Sequence, residues 1–338
     1  VEDVVADLGR WSGRRVLVTG CTGLIGAWLA KALADAGAQV VGTARHEARP
    51  WSAFADLALA DRIAVALVAI EDAAGMRRVV DEHRPAAVFH LAGASQVGAA
   101  HSSPADAVRV NAGGTVVLLD AVRGTAPDAV VVIASTAAVY GPPAAAALAE
   151  DAPLAPSSPY AASKAAAEMI ARGYAAAYGL KVVALRCANV YGPGDPNPER
   201  LVPSVMTALL CGRSPQLRSR GTAPRDFLYV KDAVRGLARA AARLDDGSVR
   251  VAAINLGSGT SVSALDLTRR LAQLAGHPTL EVITGSDADL VPGSMTNARA
   301  HQLLGWRPEW TLDDGLRETV AAYVNGIRSA HGSVSRER

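Results

Sequence analysis

The chain has 338 residues, of which 50% are apolar and 20% charged, with 34 basic against 32 acidic side chains and a formal net charge of +2. This balance excludes the broad basic excess of nucleic-acid-binding proteins and a largely disordered chain. Three scattered cysteines, Cys21, Cys187 and Cys211, lie outside any CxxC pair, which argues against a disulfide framework or a zinc site and for a reducing cytoplasm.

The first 190 residues alternate apolar, β-branched runs with alanine- and leucine-rich helical stretches. Strands are predicted at 15–18, 39–41, 63–67, 87–91, 130–134 and 182–185. Helices are predicted at 25–36 (closed by Gly37), 75–82, 104–122 and 159–178. Continuous apolar strands separated by helices imply a parallel sheet buried on both faces, a doubly wound α/β fold. At roughly 150 residues per domain the length suggests about two domains. The texture changes at Gly192-Pro193-Gly194-Asp195-Pro196-Asn197-Pro198, beyond which short helices and loops are expected to build a smaller lobe. The boundaries read as 12–190 for a dinucleotide-binding domain with return segments near 227–260, then 191–226 and 261–330 for the lobe. Residues 1–11 and 331–338 read as flexible termini, and the alanine tract 143–149 as a surface loop or helical turn. No 20–50-residue repeat and no uninterrupted apolar run of about 18 residues is present, so no membrane span is expected. The first residues lack the basic and apolar regions of a signal peptide.

Gly20-Cys21-Thr22-Gly23-Leu24-Ile25-Gly26 joins the first strand to the first helix with the spacing GxxGxxG. Gly20 suits the tight turn, Gly23 the approach of a pyrophosphate, and Gly26 close helix–sheet packing. Backbone N–H groups at the helix N-terminus then face the phosphates, so Gly20, Thr22, Gly23, Leu24, Ile25 and Gly26 are the expected cofactor contacts. The second strand ends Val41-Gly42-Thr43-Ala44-Arg45, without the carboxylate that accepts ribose hydroxyls in NAD sites. Arg45 instead suits a 2′-phosphate, which favours NADP(H) over NAD. The alternative is a solvated loop arginine.

Tyr160 and Lys164 stand four residues apart on one helix face, with Ser158 and Pro159 as the helix start. A nearby ammonium favours phenolate, so Lys164 is expected to lower the Tyr160 pKa and make it a general acid or base. Thr136, at the end of the strand 130–134, is expected to hydrogen-bond the reacting oxygen. For its neighbour Ser135 a local capping role is favoured. With 5 Trp, 7 Tyr and 3 Phe in the chain, Tyr160 is the aromatic expected to carry chemistry. Tyr140, Tyr191 and Trp306 read as packing or cleft-lining.

Together these segments resemble the extended short-chain dehydrogenase/reductases that act on nucleoside-diphosphate (NDP) sugars. The resemblance runs from about Arg14 to Tyr323. It includes His90-Leu91-Ala92-Gly93, Asn111-Ala112-Gly113-Gly114-Thr115, Arg186 to Asp195, Arg225 to Asp232, Asn255 to Gly259 and Leu303 to Pro308. It implies a Rossmann-type fold, a nucleotide-sugar substrate, no metal, and a homodimer formed through helices 104–122 and 159–178. It also implies catalytic Thr136, Tyr160 and Lys164, with Lys164 on the nicotinamide ribose. Leu91, Ala92 and Gly93 would line the cofactor cleft, and Asn189 and Arg225 would contact the diphosphate. An ion pair of Arg225 with Asp226 or Asp232 is the alternative for that arginine.

Two departures from the family pattern sharpen the reading. Ala137 and Ala138 replace the acidic pair that follows the threonine in sugar 4,6-dehydratases, which disfavours water elimination. Ala69 replaces the usual acid near the adenine, leaving backbone groups and Asp72 for that role. The favoured reaction is NADPH-dependent reduction of an NDP-4-keto-(6-deoxy)sugar, with Tyr160 as proton donor. The alternative is an NDP-sugar 4-epimerase, and a non-catalytic NADP-binding regulator is a more distant one.

Overall fold

The computed structural model describes residues 7–142, 147–250, 252–287 and 294–334. The ends 1–6 and 335–338, and residues 143–146 of the alanine tract, lie outside them. Six parallel strands come first: β1 (Arg15–Thr19), β2 (Gln39–Ala44), β3 (Ala64–Leu67), β4 (Ala87–His90), β5 (Val130–Thr136) and β6 (Lys181–Cys187). The chain then builds β7 (Asn189–Tyr191), β8 (Gln216–Ser219) and β9 (Pro224–Tyr229), and returns as β10 (Ala253–Leu256) to pair with β6. The resulting seven-stranded sheet has the order β10-β6-β5-β4-β1-β2-β3. Beyond it, β11 (Ser261–Ser263) pairs with β9, and β12 (Ile283–Asp287) pairs with β8.

Alternation of side chains explains why these strands are apolar throughout. Val16, Val18, Phe89, Val130, Val132, Val183 and Leu185 enter one core cluster. Leu17, Val88, Val131, Ile133 and Val182, between them in sequence, enter a second cluster on the opposite face. Helix α1 (Leu24–Asp35) covers the first face; α2 (Ala73–His83), α3 (Gly114–Thr125) and α4 (Pro159–Tyr178) cover the second. The predicted helix 104–122 is interrupted: Pro104–Val108 is α-helical, Arg109–Gly113 forms a π turn, and α3 follows.

The second half holds α5 (Leu201–Leu210), α6 (Val230–Asp245), α7 (Ala264–Leu274), α8 (Ala298–Leu304) and α9 (Leu312–Val334). Two of these, at 16 and 23 residues, are longer than the short helices expected after Tyr191. The reason is visible in α6, which packs against α1, β5 and β6 although its sequence carries three arginines. Two of them are buried and neutralised: Arg235 pairs with Asp232 and Arg239 with Asp7. At the N-terminus, Leu8 and Trp11 enter the core, within the segment expected to be a loose tail. The sheet order reverses between β4 and β1, so their C-terminal ends diverge into a crevice, the place where open α/β sheets bind ligands.

Candidate active site

The crevice opens on the glycine turn. Gly20 has φ +71°, a conformation that only glycine adopts without strain, and a Cβ there would lie 2.8 Å from the Ala92 nitrogen. A Cβ on Gly26 would collide with the Gly20 carbonyl, so the helix can approach the turn only because both positions are bare. Gly23 occupies the N-cap of α1 and has no side chain to cap the first turn, leaving its N–H groups available to an anion. The turn therefore fits a dinucleotide pyrophosphate, with Leu24 and Ile25 beginning the helix and Thr22 half-buried beside it.

A hydrogen-bonded chain fixes the opposite wall. Thr19 Oγ1 accepts the Leu91 and Ala92 N–H groups, both at 3.1 Å, and its own proton therefore goes to His90 Nδ1 at 3.0 Å. His90 Nε2 donates to Thr115 Oγ1 at 3.1 Å, and Thr115 donates to the Asn111 carbonyl at 2.6 Å. Burial, with the Lys164 charge adding to it, holds the imidazole down to about 3, so His90 is a neutral link. Asn111, in the π turn, accepts the Ala94 N–H at 2.8 Å and donates to Ser163 Oγ at 2.8 Å. The 91–94 segment is thus tied to both β1 and α4.

Helix α4 begins as expected, with Ser158 Oγ accepting the Ala161 N–H and Pro159 in the first turn. It carries Tyr160 and Lys164 into the crevice at the end of β5. Lys164 Nζ donates to the Ala134 carbonyl at 2.9 Å, and a Cβ on Gly93 would lie 3.2 Å from it. Thr136 Oγ1 accepts the Ala138 N–H at 3.2 Å, and its hydroxyl lies against the Tyr160 phenol.

The expected effect of Lys164 on Tyr160 is not what the structure shows. Burial pushes the phenol above its ordinary range, while Thr136 and the Arg200 guanidinium pull it down. Lys164 points instead at the Ala134 carbonyl, and burial lowers its ammonium to about 8. The cation acting on Tyr160 is Arg200, at the N-cap of α5, held by Asp195 at 3.0 Å.

A family model described as the NAD dependent epimerase/dehydratase family matches residues 16–257. The chain belongs to that family. It is 33% identical to a UDP-glucose 4-epimerase of Mycolicibacterium smegmatis over 92% of this chain and 99% of the relative. It is 34% identical to a dTDP-glucose 4,6-dehydratase of Streptomyces griseus over 75% of each chain. A crystal structure of Thermotoga maritima UDP-glucose 4-epimerase with UDP-glucose superposes with a TM-score of 0.83, at 27% identity over 93% of this chain and 99% of that one. The protein is thus an NAD-dependent epimerase/dehydratase-family enzyme of the extended short-chain dehydrogenase/reductase type, with a Rossmann-type sheet.

In this family member the remaining expected residues make separate local contacts. Ala44, buried at the end of β2, offers no carboxylate, and Arg45 is exposed beside it, with its charge felt by Asp106. Asp72, expected near the adenine, caps α2 by accepting the Gly75 N–H at 3.0 Å, so that oxygen is committed to the helix. Asn189 donates to the Asp226 carbonyl at 3.0 Å, and Arg225 sits half-buried in β9. Asp232 takes Arg235 as its partner, and Asp226 accepts the Ser258 N–H at 2.8 Å.

Two groups in the site were not foreseen from sequence. One is Arg200, whose place depends on the turn that Asp195 builds with the Asn197 N–H at 3.1 Å. The other is a buried pair beneath Lys164: Glu168 on α4 meets Arg186 on β6 at 2.7 Å. The period of the helix, Tyr160-Lys164-Glu168, was the available signal for it. Among the described residues no helix is long and apolar enough to cross a membrane, and no group of three metal-ligating side chains occurs.

Proposed function

We propose that the enzyme inverts C4 of an NDP-sugar through a transient 4-keto sugar, as an NDP-sugar 4-epimerase. Thr136 is followed by Ala137 and Ala138, so the strand end beside Tyr160 lacks the carboxylic acid and carboxylate that water elimination needs, which sets dehydration aside and suits epimerisation or reduction. The observation that favours epimerisation of these two is the similarity to a UDP-glucose 4-epimerase over 92% of this chain and 99% of the relative.

A bound nicotinamide dinucleotide would supply the hydride acceptor and donor. Tyr160 takes the proton of the C4 hydroxyl and returns it to the same oxygen, with Thr136 steering that oxygen by hydrogen bonding. Lys164, anchored on Ala134, offers its remaining protons to the nicotinamide ribose. The pyrophosphate of the dinucleotide rests on Gly20, Thr22, Gly23 and the first turn of α1, with Leu91, Ala92 and Gly93 as the facing wall. Residues 191–226 and 261–330 hold the sugar nucleotide, Asn189 and Arg225 facing its diphosphate and Arg200 facing the sugar end.

A second reading is favoured by one observation, the Ala44–Arg45 pair. Without a ribose-binding carboxylate and with an exposed guanidinium, the β2 tip suits NADP(H), and net reduction of a 4-keto sugar by NADPH follows naturally from that choice. Two incubations separate the readings: NDP-hexoses without reductant, and NDP-4-keto-6-deoxy sugars with NADPH. Isomer exchange in the first supports epimerisation; NADPH oxidation in the second supports reduction.

Arg45→Ala is expected to weaken NADP(H) by about tenfold or more, the scale of one lost charge-assisted contact, and NAD(H) little. Fluorescence titration with both cofactors checks this, and equal weakening would remove the basis for NADP preference. We also propose a cytoplasmic homodimer through the helices 104–125 and α4, whose outer faces expose Val108, Met169 and Tyr178. Light scattering should give about twice the chain mass of 34.8 kDa. A purely monomeric solution would overturn the dimer.

A further inference from the structure

Beneath the catalytic pair, a row of buried polar side chains crosses the sheet at one level. Ser135 on β5, Arg186 on β6 and Asn255 on β10 are register neighbours. Glu168 Oε2 receives Arg186 Nη2 at 2.7 Å and Nε at 3.1 Å, and its other oxygen receives Arg186 Nε at 3.2 Å and the Ser135 hydroxyl. Arg186 Nη1 donates to Tyr140 OH at 2.8 Å and to the Glu150 carbonyl at 3.2 Å; Tyr140 donates to Asn255 Oδ1 at 2.7 Å. Glu168, Arg186, Ser135, Tyr140 and Asn255 are all buried.

This row touches the reaction centre at one consecutive stretch of β5. Ala134 holds Lys164 by its carbonyl, Ser135 holds Glu168 by its hydroxyl, and Thr136 faces Tyr160. Three residues of the strand are therefore gripped by three side chains spaced four apart on one helix. A buried ion pair that packing alone demanded could be replaced by apolar residues at little cost. One placed a helical turn from a buried lysine also sets the charge that lysine meets.

We propose that Glu168, oriented by Arg186 and Ser135, is a positioning residue that keeps Lys164 in its protonated form against Ala134. It rests on the proposed role of Lys164, but its test does not need turnover. The titratable groups facing Lys164 are Cys187 from β6, Glu168 from its own helix, and His90 from β4, with Arg186 behind Glu168. Burial pushes the Cys187 thiol up to about 12 and holds His90 near 3, so both are uncharged at neutral pH. Glu168 is left as the carboxylate whose field supports the ammonium, opposing the burial that lowers it to about 8.

The chain contains only four lysines, Lys31, Lys164, Lys181 and Lys231, so Lys164 can be titrated directly. The experiment is NMR titration of lysine side chains labelled at Cε, with Lys164→Met identifying the resonance. Glu168→Gln leaves Arg186 and Lys164 as two buried cations, and the Lys164 midpoint should fall by about one pH unit or more. Arg186→Gln leaves Glu168 unneutralised, and the midpoint should rise. Removing both charges together should bring it back towards the wild-type value. A role in packing alone would unfold or loosen these variants without shifts of opposite sign. If Glu168→Gln does not fold, Arg186→Gln carries the test alone, and an unmoved or lowered midpoint there overturns the proposal. Failure of the enzyme to turn over NDP-sugars would leave this titration and its outcome unaffected.

Discussion

Tyr160→Phe is expected to lower turnover of an NDP-sugar by about 10²–10⁴-fold while leaving dinucleotide affinity intact, because the change removes a proton carrier and none of the groups that shape the dinucleotide crevice. The ring keeps its half-buried position at the start of α4, and Ser158 and Pro159 still define that helix start. Thr136 loses its phenol neighbour but still accepts the Ala138 N–H. The glycine turn and the 91–94 wall, fixed by Thr19, His90 and Asn111, do not touch the phenol oxygen. Chromatographic assay of the sugar nucleotides, run beside a fluorescence titration of the dinucleotide, separates the two quantities. Turnover within a few-fold of wild type would mean that another group moves the proton. The position of Arg200 adds a pH signature. Its guanidinium is the cation that pulls the phenol pKa down, so Arg200→Met should move the limb that reports Tyr160 ionisation to higher pH.

The parts of this arrangement that could be read from sequence are those written in backbone geometry. Gly20 and Gly26 are required by a positive φ and by a contact that no Cβ survives, and such requirements leave one residue type. The strands could be read because both faces of the sheet are buried, which turns Val130 to Ile133 into an unbroken apolar run. Tyr160 and Lys164 could be read because a helix start stands immediately before them. What escaped depends on where long side chains end. Lys164 and Tyr160 are neighbours on the helix, yet the ammonium turns towards Ala134, and an arginine forty residues later supplies the charge. Glu168 and Arg186 are charged residues of a helix and a strand, and only their pairing, which sequence does not show, allows both to be buried. The π turn at Arg109–Gly113 leaves no mark in an apolar pattern, although it presents Asn111 to Ser163 and Ala94. In α6, buried arginines disguised a core helix for the same reason.

The largest loss of stability is expected from Asp232→Ala, at about 3–5 kcal/mol, the cost of breaking a buried charge cluster from one side. Asp232 lies in the first turn of α6 and is fully buried. Its Oδ1 accepts the Glu309 N–H at 2.9 Å and Arg235 Nη1 at 2.8 Å, and its Oδ2 accepts the Trp310 N–H at 3.0 Å. Its own carbonyl accepts Trp306 Nε1 at 3.0 Å, so one residue anchors the whole 306–310 segment to the helix. Alanine keeps that last contact and removes the others, leaving two backbone N–H groups without their acceptor. Arg235 retains Glu309 and the Arg307 carbonyl, which spares part of its desolvation cost. Asp232→Asn preserves an acceptor oxygen and should lose less. Trp310 stacks on Tyr229 with ring centroids 4.9 Å apart, and Tyr229 closes the strand that carries Arg225. Loosening 306–310 should therefore also weaken sugar-nucleotide binding more than dinucleotide binding. Thermal unfolding of both variants, with the two affinities measured below the transition, checks the ordering. Equal midpoints for Asp232→Ala and wild type would show that the segment is held by apolar packing of Trp306 and Trp310 rather than by this carboxylate.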